Sequence, residues 1–212
     1  MTDDTDSCGC QGDTERAQHD PAYRRALWIV VALNVGFGLF EIVGGFLAGS
    51  QALKADALDF LGDGSITFVG LLALAWTERA RARVALVQGL FLAGLGVFVI
   101  GMAAWRALNA VPPEAELMGG IGIAALAVNV VAAWILSRFK EGDSNVRAVW
   151  LFSRNDALAN VAVIVAAGLV YWTQSAWPDL VVAAAIALLF LHSATEIIRG
   201  AHRELSEPAH AS

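Results

Sequence analysis

Six long apolar runs, separated by short polar breaks, restrict this 212-residue chain to one kind of fold. They cover residues 26–48, 53–76, 84–107, 117–137, 149–171 and 180–198. Each is close to the roughly 20 residues a helix needs to cross the hydrocarbon core of a bilayer. In lipid every backbone polar group must be bonded internally, and runs of this length meet that demand as helices. The chain is 57% hydrophobic and 16% charged, with a mean hydropathy of +0.59, well outside the soluble globular range. The reading is an all-α membrane protein, a six-transmembrane-helix bundle over 21–205 with short tails at 1–20 and 206–212. These runs leave no room for a soluble domain of ordinary size.

Basic residues set the expected orientation. Arg16, Arg24 and Arg25 precede the first span, Arg79, Arg81 and Arg83 follow the second, Arg138, Lys140 and Arg147 follow the fourth, and Arg199 and Arg203 end the sixth. If six spans alternate, all of these fall on one side, and the other side keeps only Lys54 and Arg106, each near a helix end from which it can snorkel. The positive-inside rule then places both termini in the cytoplasm. The net charge of −6 comes largely from the acidic tail and loops, so no nucleic-acid partner is expected. The polar residues 1–20 do not resemble a signal peptide and are expected to be disordered alone.

Breaks are expected at Pro21, at Pro112-Pro113, at Trp177-Pro178-Asp179 and in a short turn over 141–145. Tryptophans 28, 76, 105, 150, 172 and 177 fall near predicted helix ends, as an interfacial belt requires, with Trp134 slightly deeper. Glycines crowd the first and third spans and predict close helix packing. The third span has no buried acid, so its glycine face is also a candidate dimer surface.

The second span is interrupted by acids. Asp56, Asp59 and Asp63 follow an i, i+3, i+7 spacing and share one helix stripe. A carboxylate inside a bilayer is costly by at least a few kcal/mol, and such groups normally face a cavity, a partner or an ion path. The fifth span enters from the opposite side and carries Asp156 about seven residues in, roughly 10 Å deep at 1.5 Å per residue. Running antiparallel, the two spans bring Asp59, Asp63 and Asp156 to similar depths. Ser153, Asn155 and Asn160 accompany Asp156, while Asn34, Glu41 and Asn129 are expected to be buried on the first and fourth spans. Carboxylate and carboxamide oxygens together suit a hard or borderline divalent cation. The competing reading assigns these acids to packing, neutralised by protons or by Arg154, the basic residue within the fifth span.

The stretch from Leu33 to Asp63 resembles the cation diffusion facilitator family. It contains Asn34-x-x-Phe37-x-x-x-Glu41 and then Ala55-Asp56-Ala-Leu-Asp59-x-x-x-Asp63. The segment around Asp156-Ala-Leu-Ala-Asn160 is similar to the family's fifth span, and residues 178–204 resemble its sixth. The resemblance covers roughly 24–205 and implies a bundle of the cation-efflux transmembrane-domain type. It further implies a homodimeric, proton-coupled exporter of divalent metals in the bacterial inner membrane. The family usually carries His or Asp four residues before the fifth-span Asp, where this chain has Phe152. Most relatives continue into a cytoplasmic metal-binding domain, whereas this chain stops at Ser212, so a dimer is expected to be held within the membrane.

On this reading the protein is a secondary active transporter, with no enzymatic activity and no prosthetic group. The divalent metal is its substrate, taken from the cytoplasm by Asp59, Asp63 and Asp156 and displaced by protons outside. Glu41, Asp56, Ser153, Asn155 and Asn160 are further candidate ligands. Zinc, cadmium, cobalt, iron and manganese all remain open. The alternative is a non-transporting metal sensor or assembly subunit. Cys8-Gly-Cys10 with His19 offers a weak accessory site for a thiophilic ion on the tail, against a plain solvated tail. His192 and Glu196 share a face of the sixth span and read as an interfacial hydrogen bond or a second ion site.

Overall fold

Five of the six apolar runs lie within one helix each, and the second, expected over 53–76, is helical as far as Leu72. The computed structural model describes residues 21–72, 76–109, 111–138 and 143–206, with side chains for all of these except Glu78 and 143–155. The helices are α1 (Pro21–Ala48), α2 (Gln51–Leu72), α3 (Glu78–Asn109), α4 (Ala115–Ser137), α5 (Asp143–Thr173) and α6 (Trp177–Ser206). Most reach beyond their apolar runs because polar residues continue the helix once it leaves hydrocarbon. Pro21 and Pro178 open α1 and α6 at first-turn positions, where a missing N–H costs nothing. The turn expected over 141–145 is corrected, since α5 already begins at Asp143.

Among the described residues, five helices are long and apolar enough to cross a membrane: α1, α3, α4, the part of α5 from Asp156, and α6. α2 differs because it carries Lys54, Asp56, Asp59 and Asp63, and its surroundings explain how it is tolerated. Every residue from Gln51 to Leu58 is buried, so protein rather than lipid surrounds its first two turns. The bundle's outer face is apolar instead, with Phe46, Leu47, Trp105, Leu108 and Trp172 exposed, the last at 84%. That inverted distribution belongs to a helix bundle solvated by lipid.

The helices pair most extensively as α1 with α2, α3 with α6 and α4 with α5. α1–α4 and α2–α6 contacts join the pairs, while α2 and α5 barely meet. The core runs through Leu53, Leu58, Leu92, Met118, Val163 and Phe190. Two glycines of α3 serve this packing rather than a dimer face: a Cβ on Gly89 would strike Ile198, and one on Gly96 would strike Leu191, both on α6.

At the end where α1 joins α2, the chain turns through Gly49 with φ +67°, a region L-residues rarely adopt. Arg106 of α3 donates to the Gly49 carbonyl at 2.8 Å, and the Glu114 amide donates to the Ala48 carbonyl at 2.8 Å. The expectation that Arg106 and Lys54 snorkel outward is therefore corrected. Lys54 is buried, with its ammonium 4.3 Å from the centre of the Phe46 ring.

Candidate metal centre

α1 and α2 approach closely at the level of the acids because Gly64 has no side chain there. A Cβ at that position would lie 2.7 Å from Val35 Cγ2 and 3.2 Å from the Val35 amide nitrogen. Gly38 and Gly45 of α1, whose Cβ atoms would lie 3.1 Å from the Ala57 carbonyl oxygen and 3.2 Å from the Lys54 amide nitrogen, continue the close approach on either side of Glu41, which at 0% exposure lies against Asp56, buried at 1%. Asp59 and Asp63, one and two turns further along α2, are only partly buried, as is Asp156 on α5. The stripe predicted from sequence thus divides in two. Its first member is fully buried against α1, and its later members are half-buried.

Asp59 is within electrostatic reach of Glu41, Asp56, Asp63 and Asp156, and Asp63 is within reach of Asp156. Lys54 interacts instead with Arg106 and Asp179. So many like charges away from bulk water call for a compensating cation or for protons. The surrounding oxygens are short of donors. Both Glu41 carboxylate oxygens, Asp56 Oδ2, Asn34 Oδ1 and Asn160 Oδ1 are buried without a hydrogen-bond partner. Asn160 Nδ2 donates to the Asp156 carbonyl at 2.8 Å, which anchors that amide to its own helix. Unpartnered buried oxygens are what a hard or borderline cation requires.

The acids share one region without closing a cage. Among the described residues, no three His, Cys, Asp or Glu side chains stand at metal-holding distance, in keeping with the slight α2–α5 contact. Phe152, Ser153 and Asn155 lie on α5 where side chains fall outside the described residues, and Cys8, Cys10 and His19 lie outside them altogether. Asn129 is half-buried, less enclosed than expected. His192 and Glu196 form a 3.5 Å contact with both side chains about two-thirds exposed or more (70% and 67%), apart from the cluster.

Sequence reasoning missed Asp179, which it read only as part of a chain break. Asp179 is 1% exposed and receives hydrogen bonds from the Ser50 hydroxyl and the amides of Gln51 and Ala52. Ser50 directly before a helical pattern was the available signal, since serine is a preferred N-cap. Nothing local indicates that its partner lies 129 residues away.

The pattern of the cation efflux transmembrane domain matches residues 27–206. The chain belongs to the cation efflux family. Among its cation efflux relatives, "Zinc transporter ZitB" of Escherichia coli K12 is 31% identical over 201 residues, covering 89% of this chain and 64% of that protein. The "Cadmium, cobalt and zinc/H(+)-K(+) antiporter" of Bacillus subtilis 168 is 28% identical over 207 residues, covering 89% and 65%. "Metal cation efflux system protein CzcD" of Cupriavidus metallidurans is 29% identical over 187 residues, covering 82% and 58%. The chain therefore spans a little under two thirds of the length of these relatives.

Proposed function

We propose that this protein is a proton-coupled antiporter that exports divalent transition-metal cations from the cytoplasm across the bacterial inner membrane, with both termini cytoplasmic. The observation that carries the reading is the group of acids inside a lipid-exposed bundle, with Asp59 in electrostatic reach of Glu41, Asp56, Asp63 and Asp156. Asp59, Asp63 and Asp156 are the primary ligands, being the half-buried acids of the group. Glu41, Asp56, Asn160, Ser153 and Asn155 are supporting oxygens. A small approach of α5 towards α2 closes the site around the ion, and its reversal towards the outside admits protons. Each carboxylate oxygen set holds either metal or proton, so competition couples the two flows. Zinc, cadmium and cobalt, the metals named for the relatives, are the first substrates to test, followed by iron and manganese. A homodimer held through transmembrane helices is the expected assembly.

Proteoliposomes containing a pH-sensitive dye test this directly. Addition of Zn²⁺, Cd²⁺ or Co²⁺ should drive a proton flux in wild type that disappears in Asp63→Ala. Wild-type vesicles showing no flux with any of the five metals contradict the antiporter and leave the sensor reading.

A further inference from the structure

Helix α2 carries Asp59 and Asp63, yet its start is held from outside its own hairpin. The first amides of a helix have no partner within it. Here Ser50 acts as N-cap, accepting from the Leu53 amide at 3.0 Å. Its hydroxyl in turn donates to Asp179 Oδ1 at 2.5 Å. The Gln51 amide donates to Asp179 Oδ2 at 2.8 Å, and the Ala52 amide donates to Oδ1 at 3.0 Å. One buried carboxylate from the first turn of α6 thus takes three donors at the positive end of α2. Charge-assisted bonds of this kind, aligned with the helix dipole, are among the stronger and more directional contacts available.

We infer that Asp179 is a positioning residue for the metal centre: by capping α2 from α6, it fixes the depth and rotation at which α2 presents Asp59 and Asp63. This rests on the reading of those residues as metal ligands. The geometry supplies the leverage. A shift of α2 by one residue moves it about 1.5 Å and turns it about 100°, and either motion breaks both amide bonds to Asp179. Asp59 lies nine residues past Ser50, about 13 Å along the helix, and Asp63 about 20 Å along it. Within that distance a helix transmits rotation and depth as a rigid rod. A second tie steadies the same helix beyond the acids, where Gln88 Nε2 of α3 donates to Ser65 Oγ at 2.9 Å. Asp59 and Asp63 sit between these two fixed points. Arg106 makes a useful contrast, because its bond to the Gly49 carbonyl secures the same end of the bundle without touching an α2 amide.

The test is Cd²⁺ binding to the full chain in detergent, measured by titration calorimetry, with the thermal midpoint of the metal-free protein recorded alongside. Asp179→Asn keeps the shape but removes the charge and one acceptor, and should raise the Cd²⁺ Kd about tenfold, as loss of a ligand-orienting partner does elsewhere. Ser50→Ala removes one of the three bonds and should raise it about threefold on the same basis. Arg106→Gln should lower the thermal midpoint while leaving Kd within about twofold of wild type. An unchanged Kd in Asp179→Asn overturns the inference. So does an equal rise in Arg106→Gln, which would assign the effect to general loosening. Should Asp179→Asn not fold, the contrast between Ser50→Ala and Arg106→Gln decides by the same criteria. A wild type that binds no Cd²⁺ fails the proposed metal centre itself; a wild type that binds beside variants that bind equally fails only the role of Asp179.

Discussion

Adding one methyl group at Gly64 should separate α1 from α2 beside the acids. A Cβ there would lie 2.7 Å from Val35 Cγ2, 3.2 Å from Asn34 Cβ and 3.2 Å from the Val35 amide nitrogen. Carbon atoms in favourable contact lie about 3.5–4.0 Å apart, so the shortfall is close to 1 Å. Rotation of Val35 can relieve the first contact, but the backbone nitrogen cannot swing away, and α1 must retreat by a few tenths of an ångström. Overpacking of this kind costs about 1–3 kcal/mol. Replacing a helical glycine by alanine also changes backbone propensity by up to about 1 kcal/mol in the stabilising direction. Gly70 on the same helix cancels that contribution, because nothing lies within 4 Å of its Cβ position. Unfolding in SDS, followed by tryptophan fluorescence, should therefore place Gly64→Ala about 1–3 kcal/mol below Gly70→Ala. Equal stability of the two variants would refute the close approach. Because Asp63 is the adjacent residue, Gly64→Ala should also weaken metal binding where Gly70→Ala does not.

Gly49→Ala forces an L-residue into φ +67° and drives its Cβ into the Arg106 guanidinium, so it should lose about 1–2 kcal/mol or more in the same unfolding assay. His192→Ala should leave metal-driven proton flux within about twofold of wild type, since its contact with Glu196 is exposed and such pairs contribute little. Metal affinity should fall with acidification over the range where the ligand acids take up protons, by about tenfold per pH unit for each proton displaced, as calorimetry at stepped pH would show. An affinity independent of pH would remove the basis for proton coupling.

The bundle was legible in the sequence because apolar length alone decides whether a helix can span lipid. Leu117–Ser137 needed no tertiary information, and the helix found there begins only two residues earlier, at Ala115. Asp59, Asp63 and Asp156 stand out in the sequence because acids in apolar runs are rare, and the structure brings them within electrostatic reach of one another. The division between fully buried Asp56 and half-buried Asp59 was not legible, since all three α2 acids lie on one stripe and only the neighbouring helices distinguish them. Charge position also misled. Lys54 and Arg106 sit near helix ends, where snorkelling is the simplest expectation, yet one lies over Phe46 and the other bonds to the Gly49 carbonyl. Asp179 was missed for a related reason, because an N-cap partner supplied by a distant helix leaves no periodic trace.

Cd²⁺ titration of Asp156→Asn in the full chain probes most directly whether α2 and α5 share one cargo. Loss of an anionic ligand inside the bundle should cost about 3 kcal/mol, or roughly a hundredfold in Kd, to the same extent as Asp59→Asn or Asp63→Asn. Binding by Asp156→Asn that matches wild type, while the two α2 variants lose it, would contradict a centre built between these helices.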